Sequence, residues 1–270
     1  MTDTNSPAAD PTTNGGKQRR GFGIDVGGSG VKGGIVDLDT GRLIGDRFKL
    51  ATPQPATPDA VSKTVAAVVR EFGWTEKLGV TYPGVVTDGI VRTAANVDKS
   101  WIGINAREFI GKELDGQPVT VLNDADAAGL AEEKFGAGKD NTGVIVLLTF
   151  GTGIGSAVIH NGVLLPNTEF GHLYLKHGHE VEHRAAASVR EEKDLSWEDW
   201  AERLQEFYAH LEFIFSPDLF VVGGGVSKRA EKFLPLLALR TPIVPAGLRN
   251  DAGIIGAALI AAERAGAARG

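Results

Sequence analysis

Three glycine clusters and three short polar motifs hold the residues of this chain best suited to chemistry. The first cluster is Asp25-Val-Gly27-Gly28-Ser29-Gly30-Val-Lys32. It contains a literal G-x-G-x-x-G over 28–33, but a strand and a turn follow, where a dinucleotide-binding loop would open a helix. A Walker A loop is also missing, since no glycine is followed at the needed spacing by Lys-Ser or Lys-Thr. What remains is a tight strand-to-strand turn. Its N–H groups can cradle an anion because no Cβ blocks the approach. Asp25 at its entrance could hold a metal-bound water, and Lys32 could reach a phosphate. The second cluster, Thr149-Phe-Gly151-Thr152-Gly153-Ile-Gly155, lies between two apolar strands. The third, Val221-Val-Gly223-Gly224-Gly225-Val-Ser227, follows a strand and leads into a segment able to start a helix, which suits phosphate or nucleotide. Alone, the first reads equally well as a plain turn, and the second and third read better as one. Three at strand ends favour a phosphate-handling cleft between two domains.

The polar motifs are more ambiguous. An apolar strand ending at Leu122 runs into Asn123-Asp124-Ala-Asp126. A carboxylate there can take a proton from a substrate hydroxyl, yet Asn and Asp before a helix are ordinary caps. Position alone leaves both open, with Asp126 fitting the cap and Asp124 the base. Glu169-Phe-Gly-His172 joins a carboxylate to an imidazole, a pair that can bind sugar hydroxyls. His172, His177, His179 and His183 also raise a metal reading. No H-E-x-x-H spacing supports it, and a polar surface loop accounts for the last three. Asn96-Val-Asp-Lys-Ser-Trp101 would suit a sugar or an exposed loop equally.

These motifs need elements to carry them. The 270 residues suggest about two domains. Hydrophobic residues at 42% and charged residues at 23% describe an ordinary globular chain. With 28 Lys+Arg against 34 Asp+Glu the net charge is -6, which speaks against nucleic-acid or anionic-membrane binding but leaves room for a local basic groove. Cys is 0, excluding disulfides, thiol nucleophiles and Cys-containing zinc sites, and fitting a reducing cytoplasm. Apolar runs reach about ten residues, short of the roughly 20 that a membrane helix needs. Residues 1–20 lack aromatics and any apolar period and read as a disordered tail without a secretory signal.

Strands are expected at 22–26, 33–38, 43–50, 78–81, 119–122, 144–150, 156–160 and 219–222. Helices are expected from Pro58 behind the cap Thr57, over 125–135, from the capping box at Ser196 to Phe215, and over 252–265. This mixture implies α/β domains, and no fixed-period repeat is visible.

Together these residues resemble a family. Asp25 to Lys32, Phe150 to Gly155 and Val222 to Ser227 are similar to the two phosphate motifs and the adenosine motif of the actin/hexokinase superfamily of sugar kinases. Asn123-Asp124 and Glu169-Phe-Gly-His172 resemble the sugar-site motifs of its ROK branch. Longer stretches (81–86, 91–101, 122–129 and 166–172) are similar to its polyphosphate-using actinobacterial members. The resemblance runs from about Gly21 to Ala262.

It implies two RNase-H-like lobes around a cleft: a small lobe over 21–123 completed by the helix 252–265, and a larger lobe over 124–251. It further implies phosphoryl transfer to the C6 hydroxyl of glucose from inorganic polyphosphate, with ATP as a second donor. Asp124 would be the general base. Asn96, Asn123, Glu169, His172 and Glu182 would bind glucose. Asp25, Gly27, Gly28, Ser29, Gly30, Lys32, Thr149, Gly151, Thr152, Gly153, Gly155, Gly223, Gly224 and Gly225 would face donor phosphates or nucleotide. Mg²⁺ would bridge donor oxygens, with Asp25 reaching it through water, and the chain would form a cytoplasmic homodimer. Many ROK members carry a Cys-rich zinc loop after this Glu/His motif. The segment 173–188 has no Cys, so no zinc is expected and the placement of Glu182 is open.

Other readings are a strictly ATP-dependent or mannose-accepting kinase, an actin-like ATPase, and a ROK-type repressor. The repressor would need a helix-turn-helix that residues 1–20 are too short to hold. A polyphosphate chain would need a basic track, for which Lys99, Lys139, Lys228, Arg229 and Lys232 are candidates.

Overall fold

Residues 18–176 and 178–267 are described by the computed structural model. An antiparallel meander opens the chain: β1 (Arg20–Gly27), β2 (Gly30–Asp37) and β3 (Arg42–Leu50). Then come α1 (Pro58–Glu71), β4 (Leu78–Tyr82), the small hairpin β5 (Val86–Thr87) and β6 (Ile90–Val91), α2 (Ala106–Lys112), β7 (Val119–Asn123) and α3 (Asp124–Phe135). The second half holds β8 (Val144–Phe150), β9 (Ile154–His160), β10 (Val163–Leu165), α4 (Glu182–Ala185), α5 (Ala187–Glu192), α6 (Trp197–Phe215), β11 (Leu219–Gly223), β12 (Ile243–Pro245) and α7 (Ala252–Ala267).

Two five-stranded sheets result, ordered β3-β2-β1-β4-β7 and β10-β9-β8-β11-β12. In each, the first three strands in sequence pair antiparallel and the last two join parallel. One strand plan is thus used twice, although no repeat is visible in the sequence. A strand plan requires only an alternation of apolar segments and turns, which unrelated residues can supply.

Helix boundaries follow local chemistry. Thr57 caps α1 by accepting from the Ala60 N–H, and Pro58 occupies the first turn. Val61, Val65, Val68 and Val69 on α1 are buried beside Phe22 and Ile24 of β1. Ser196 caps α6 by accepting from the Asp199 N–H. The helix buries Trp200, Leu204, Phe207, Tyr208 and Leu211 with Phe150, Phe220 and Phe233. α7 returns to the first sheet so closely that a Cβ on Gly23 or Gly79 would run into the backbone of Ile254 or Ala257. α3 packs against both α7 and β9, joining the halves.

At the start of the chain, Arg20 already pairs with Asp37 in the β1–β2 ladder. The Gln18 side-chain amide donates to Asp37 at 2.7 Å. The expected tail therefore gives way to structure before Gly21, and residues 1–17 lie outside the described residues. The short elements α2, α4, α5, β5, β6, β10 and β12 were not foreseen, because two to seven residues carry too little periodicity to show.

Candidate active site

Both sheets send the C-terminal ends of their parallel strands to the functional residues. Asp25 lies near the end of β1, Thr81 near the end of β4, and Asn123 closes β7 beside Tyr82 of β4. In the second sheet Gly223 of β11 lies beside Thr149 of β8. Strand ends of this kind expose backbone groups that no further pairing satisfies.

Asn123 and Asp124 have separate tasks. Asn123 is the N-cap of α3, its Oδ1 accepting from the Ala125 and Asp126 N–H groups at 2.8 and 3.1 Å. Its amide donates to the Gly84 carbonyl at 3.2 Å. Asp124 accepts from the Ala125 N–H at 2.9 Å, a donor already held by Asn123, and from its own backbone N–H. Burial first, and then the negative charge of Asp25, push the Asp124 carboxyl up to about 7, with Glu169 adding to the effect. A base poised near neutrality is what proton abstraction requires.

The cap expected at Asp126 is not there. Asn123 takes that role, and Asp126 lies in the first turn, 1% exposed. Its Oδ2 accepts from the Asn167 N–H at 2.9 Å, while Oδ1 is buried and has no partner among the described residues. The Asn167 amide brackets Val86 of β5, accepting from its N–H and donating to its carbonyl, both at 3.0 Å. Sequence reading missed Asn167 and the role of Asp126. Their partners are 41 and 81 residues distant, and nothing local marks them.

This bracket anchors the loop that carries Glu169 and His172. Ser156 secures it as well, accepting from the Phe170 N–H at 3.0 Å and donating to the Thr168 carbonyl at 2.7 Å. His172 Nδ1 lies 2.8 Å from Glu180 and 3.7 Å from Glu182, and Nε2 lies 3.7 Å from Glu169. The hydrogen bond with Glu180 is the main cause raising the His172 pKa, and it lowers that of Glu180. Burial raises that of Glu169, and His172 opposes the rise. Glu182 turns its other oxygen to the Ile154 N–H at 3.2 Å, beside Gly153. Glu182 thus joins the cluster. Glu180, which orients the imidazole, went unforeseen.

Asn96 is different. It lies exposed on the loop between β6 and the turn Lys99–Trp101, without a hydrogen bond to the cluster. His179 and His183 are exposed, and His177 lies outside the described residues. One atom from each of His172, Glu180 and Glu182 falls within a 4.8 Å group able to hold a cation.

At the first glycine turn, Asp25 is held from both sides. Thr81 donates to its Oδ1 at 2.8 Å and accepts from the Val26 N–H at 3.0 Å. Lys32 lies 2.8 Å from Oδ2 and also donates to the Asn250 carbonyl at 2.9 Å. Gly27 pairs with Gly30 across the turn, and Ser29 lies at its tip. Nothing in the protein requires a glycine at Gly28, Gly151 or Gly225, since a Cβ there would meet no atom within 4 Å and none has a positive φ. Gly30, Gly153, Gly155 and Gly223 are instead constrained by neighbouring side chains, and Gly224 by a φ of 81° and the Phe150 backbone. The segment after Gly225 forms a 3-10 helix (Gly225–Lys232) with a kink at Arg229. Gly151, Thr152 and Gly225 line a pocket of about 530 Å³ with Arg190, Trp197 and Lys228. The Arg190 guanidinium lies 3.7 Å from the Trp197 ring centre.

A family model described as the ROK family matches residues 21–187. The chain belongs to the ROK family. It is 65% identical over 259 residues to the polyphosphate glucokinase of Mycobacterium tuberculosis (strain H37Ra), covering 96% of this chain and 97% of that protein. Among solved structures, the inorganic polyphosphate/ATP-glucomannokinase of Arthrobacter sp. strain KM is 52% identical, with a TM-score of 0.87 over 91% of this chain and 99% of the other. A ROK family glucokinase from Streptomyces griseus, in complex with glucose and AMPPNP, is 26% identical with a TM-score of 0.77, over 91% and 100% of the two chains. The expected α/β fold of two actin/hexokinase-type lobes stands.

Proposed function

We propose that this ROK protein transfers the terminal phosphoryl group of inorganic polyphosphate, or of ATP, to the C6 hydroxyl of glucose. The observation that carries the reading is Asp124. It is a carboxyl raised to about 7 by burial and by Asp25 of the first glycine turn, with Glu169 of the Glu169/His172/Glu182 cluster adding to the effect. Glucose hydroxyls would bind that cluster and Asn123, with Asn96 closing from its loop. Asp124 would accept the C6 hydroxyl proton as that oxygen bonds to the terminal phosphorus. The bridging P–O bond then breaks, leaving polyphosphate one unit shorter or ADP. Gly27 to Gly30 and Gly151 to Gly155 would face the donor phosphates, and the pocket beside Gly223 to Gly225 would take adenosine. Phosphoryl transfer asks mainly for such positioning and charge neutralisation.

The residues fit a hard divalent cation such as Mg²⁺. The Asp25 and Asp124 charges repel each other, and both offer oxygen ligands. Both Asp25 oxygens already have protein partners, which favours contact through water. When bound, the ion would neutralise charge on the donor oxygens.

We further infer lobes spanning 21–123 with the C-terminal helix, and 124–251, and a cytoplasmic homodimer. The dimer reading is supported by Phe213 and Tyr174, 83% and 66% exposed beside an open groove along α6. No helix among the described residues is long and apolar enough to cross a membrane. The test is glucose 6-phosphate formation by purified protein with polyphosphate and ATP supplied separately. Product from neither donor would overturn the reading.

A further inference from the structure

A second groove adjoins the donor pocket and continues it across the lobes. It has a volume of about 590 Å³ and is lined by Arg47 of β3, by Arg249, and by Lys228, which also lines the pocket at Gly151 and Gly225. Lys228, Arg229 and Arg249 are exposed and form no ion pair among the described residues. Arg47 is shared with Asp251 at 2.6 Å, and Asp46 also lines the groove, so it is basic but not uniformly so. Lys49, two residues beyond Arg47 on β3, lies directly over Gly30 in the first glycine turn. Cations therefore recur between one glycine turn and the other, interspersed with Asp46 and Asp251, on a chain whose net charge is -6.

Two features of the backbone single out this groove. Arg249 has a φ of 53°, a left-handed conformation that arginine adopts only under constraint. The turn that holds it, Arg249–Asp251, is tied to the first phosphate turn through the Asn250 carbonyl and Lys32. The turn that carries the exposed Arg249 is thereby fastened to the first glycine turn. Of the other expected track residues, Lys139 lies in a separate groove with Lys134 and Glu263, and Lys99 lies on the exposed turn before α2.

We propose that Arg47, Arg249 and Lys228 form a distal subsite for the units of a polyphosphate chain beyond those that react, a region ATP does not reach. The proposal rests on polyphosphate being a donor. A linear polyanion gains from each exposed cation along its path, and each contact adds salt dependence through released counterions.

The test compares the wild-type full chain with Arg249→Asn and with the Arg47→Gln/Arg249→Asn pair. Asparagine tolerates the left-handed backbone, so the charge is removed without added strain. Long-chain polyphosphate, tripolyphosphate and ATP are supplied separately at several salt concentrations. The expected result is a KM for long-chain polyphosphate raised about twofold in the single variant and at least about fivefold in the pair. Its dependence on salt becomes shallower, and KM for tripolyphosphate, ATP and glucose is unchanged. Unchanged polyphosphate KM would overturn the proposal and leave surface charge. Equal weakening of all donors would overturn it in favour of a shared triphosphate site. A wild-type protein active with ATP but inert with polyphosphate would instead overturn the donor reading itself.

Discussion

Asp124→Asn separates the two readings of the strand-end carboxylate. If Asp124 served as a cap, asparagine would replace it with little change. The structure makes that control unusually clean, because Asn123 already caps α3 with two accepted hydrogen bonds. Asp124 adds a shared bond to the Ala125 N–H and one to its own N–H, both of which an asparagine carbonyl can keep. The substitution also removes a charge that burial and Asp25 both disfavour, so Tm at pH 8 should hold or rise. The rate should behave in the opposite way. Removing a general base costs about 10² to 10⁴ in rate, or ~3 to 5 kcal/mol of barrier. We expect kcat to fall at least about a hundredfold with either donor, while calorimetric glucose binding stays close to wild type. In wild type, kcat/KM for glucose should rise with pH through about 7, as the free carboxyl ionises, and this limb should be lost in the variant. A kcat within tenfold of wild type, with the pH limb retained, would refute the base assignment.

Gly28→Ala and Gly151→Ala should leave Tm unchanged, since an added methyl meets nothing within 4 Å, yet raise donor KM or lower kcat at least about tenfold. A loss of stability would show that packing, not ligand approach, requires those glycines. Glu169→Gln and His172→Ala should raise glucose KM about 10- to 100-fold and leave donor KM within about threefold, as steady-state kinetics would show. Asp126→Asn should remain active, because its carbonyl can still accept from Asn167. Burial holds the Asp126 carboxyl up at about 7, above its ordinary 3.8, so its contribution to stability is present below about pH 4 and lost as pH rises through 7. The variant should therefore gain Tm over wild type at pH 8, with the gap closing towards pH 4, as thermal melts would measure; Asp126→Leu, unable to hold the Asn167 N–H, should raise glucose KM.

The sequence by itself determined the elements whose cause is local. Period and caps placed α1 and α6, because Thr57-Pro58 and Ser196-x-x-Asp199 satisfy N–H groups within their own first turn. Apolar runs ending in glycine placed the glycine turns, and the long motifs carried the ROK resemblance. What only the tertiary structure decided are relations between distant residues. That Asn123 caps α3 while Asp124 faces Asp25 depends on β7 and β1 lying in one sheet. That Asp126 holds Asn167, and Asn167 holds Val86, depends on α3 and β5 meeting at the loop after β10. Gly28 and Gly30 look alike in the chain, yet one faces open space and the other lies under Lys49. Capping and periodicity act over a few residues and leave a local signature. Burial, charge repulsion and steric room come from whatever the fold brings near, and for that the sequence carries no local mark.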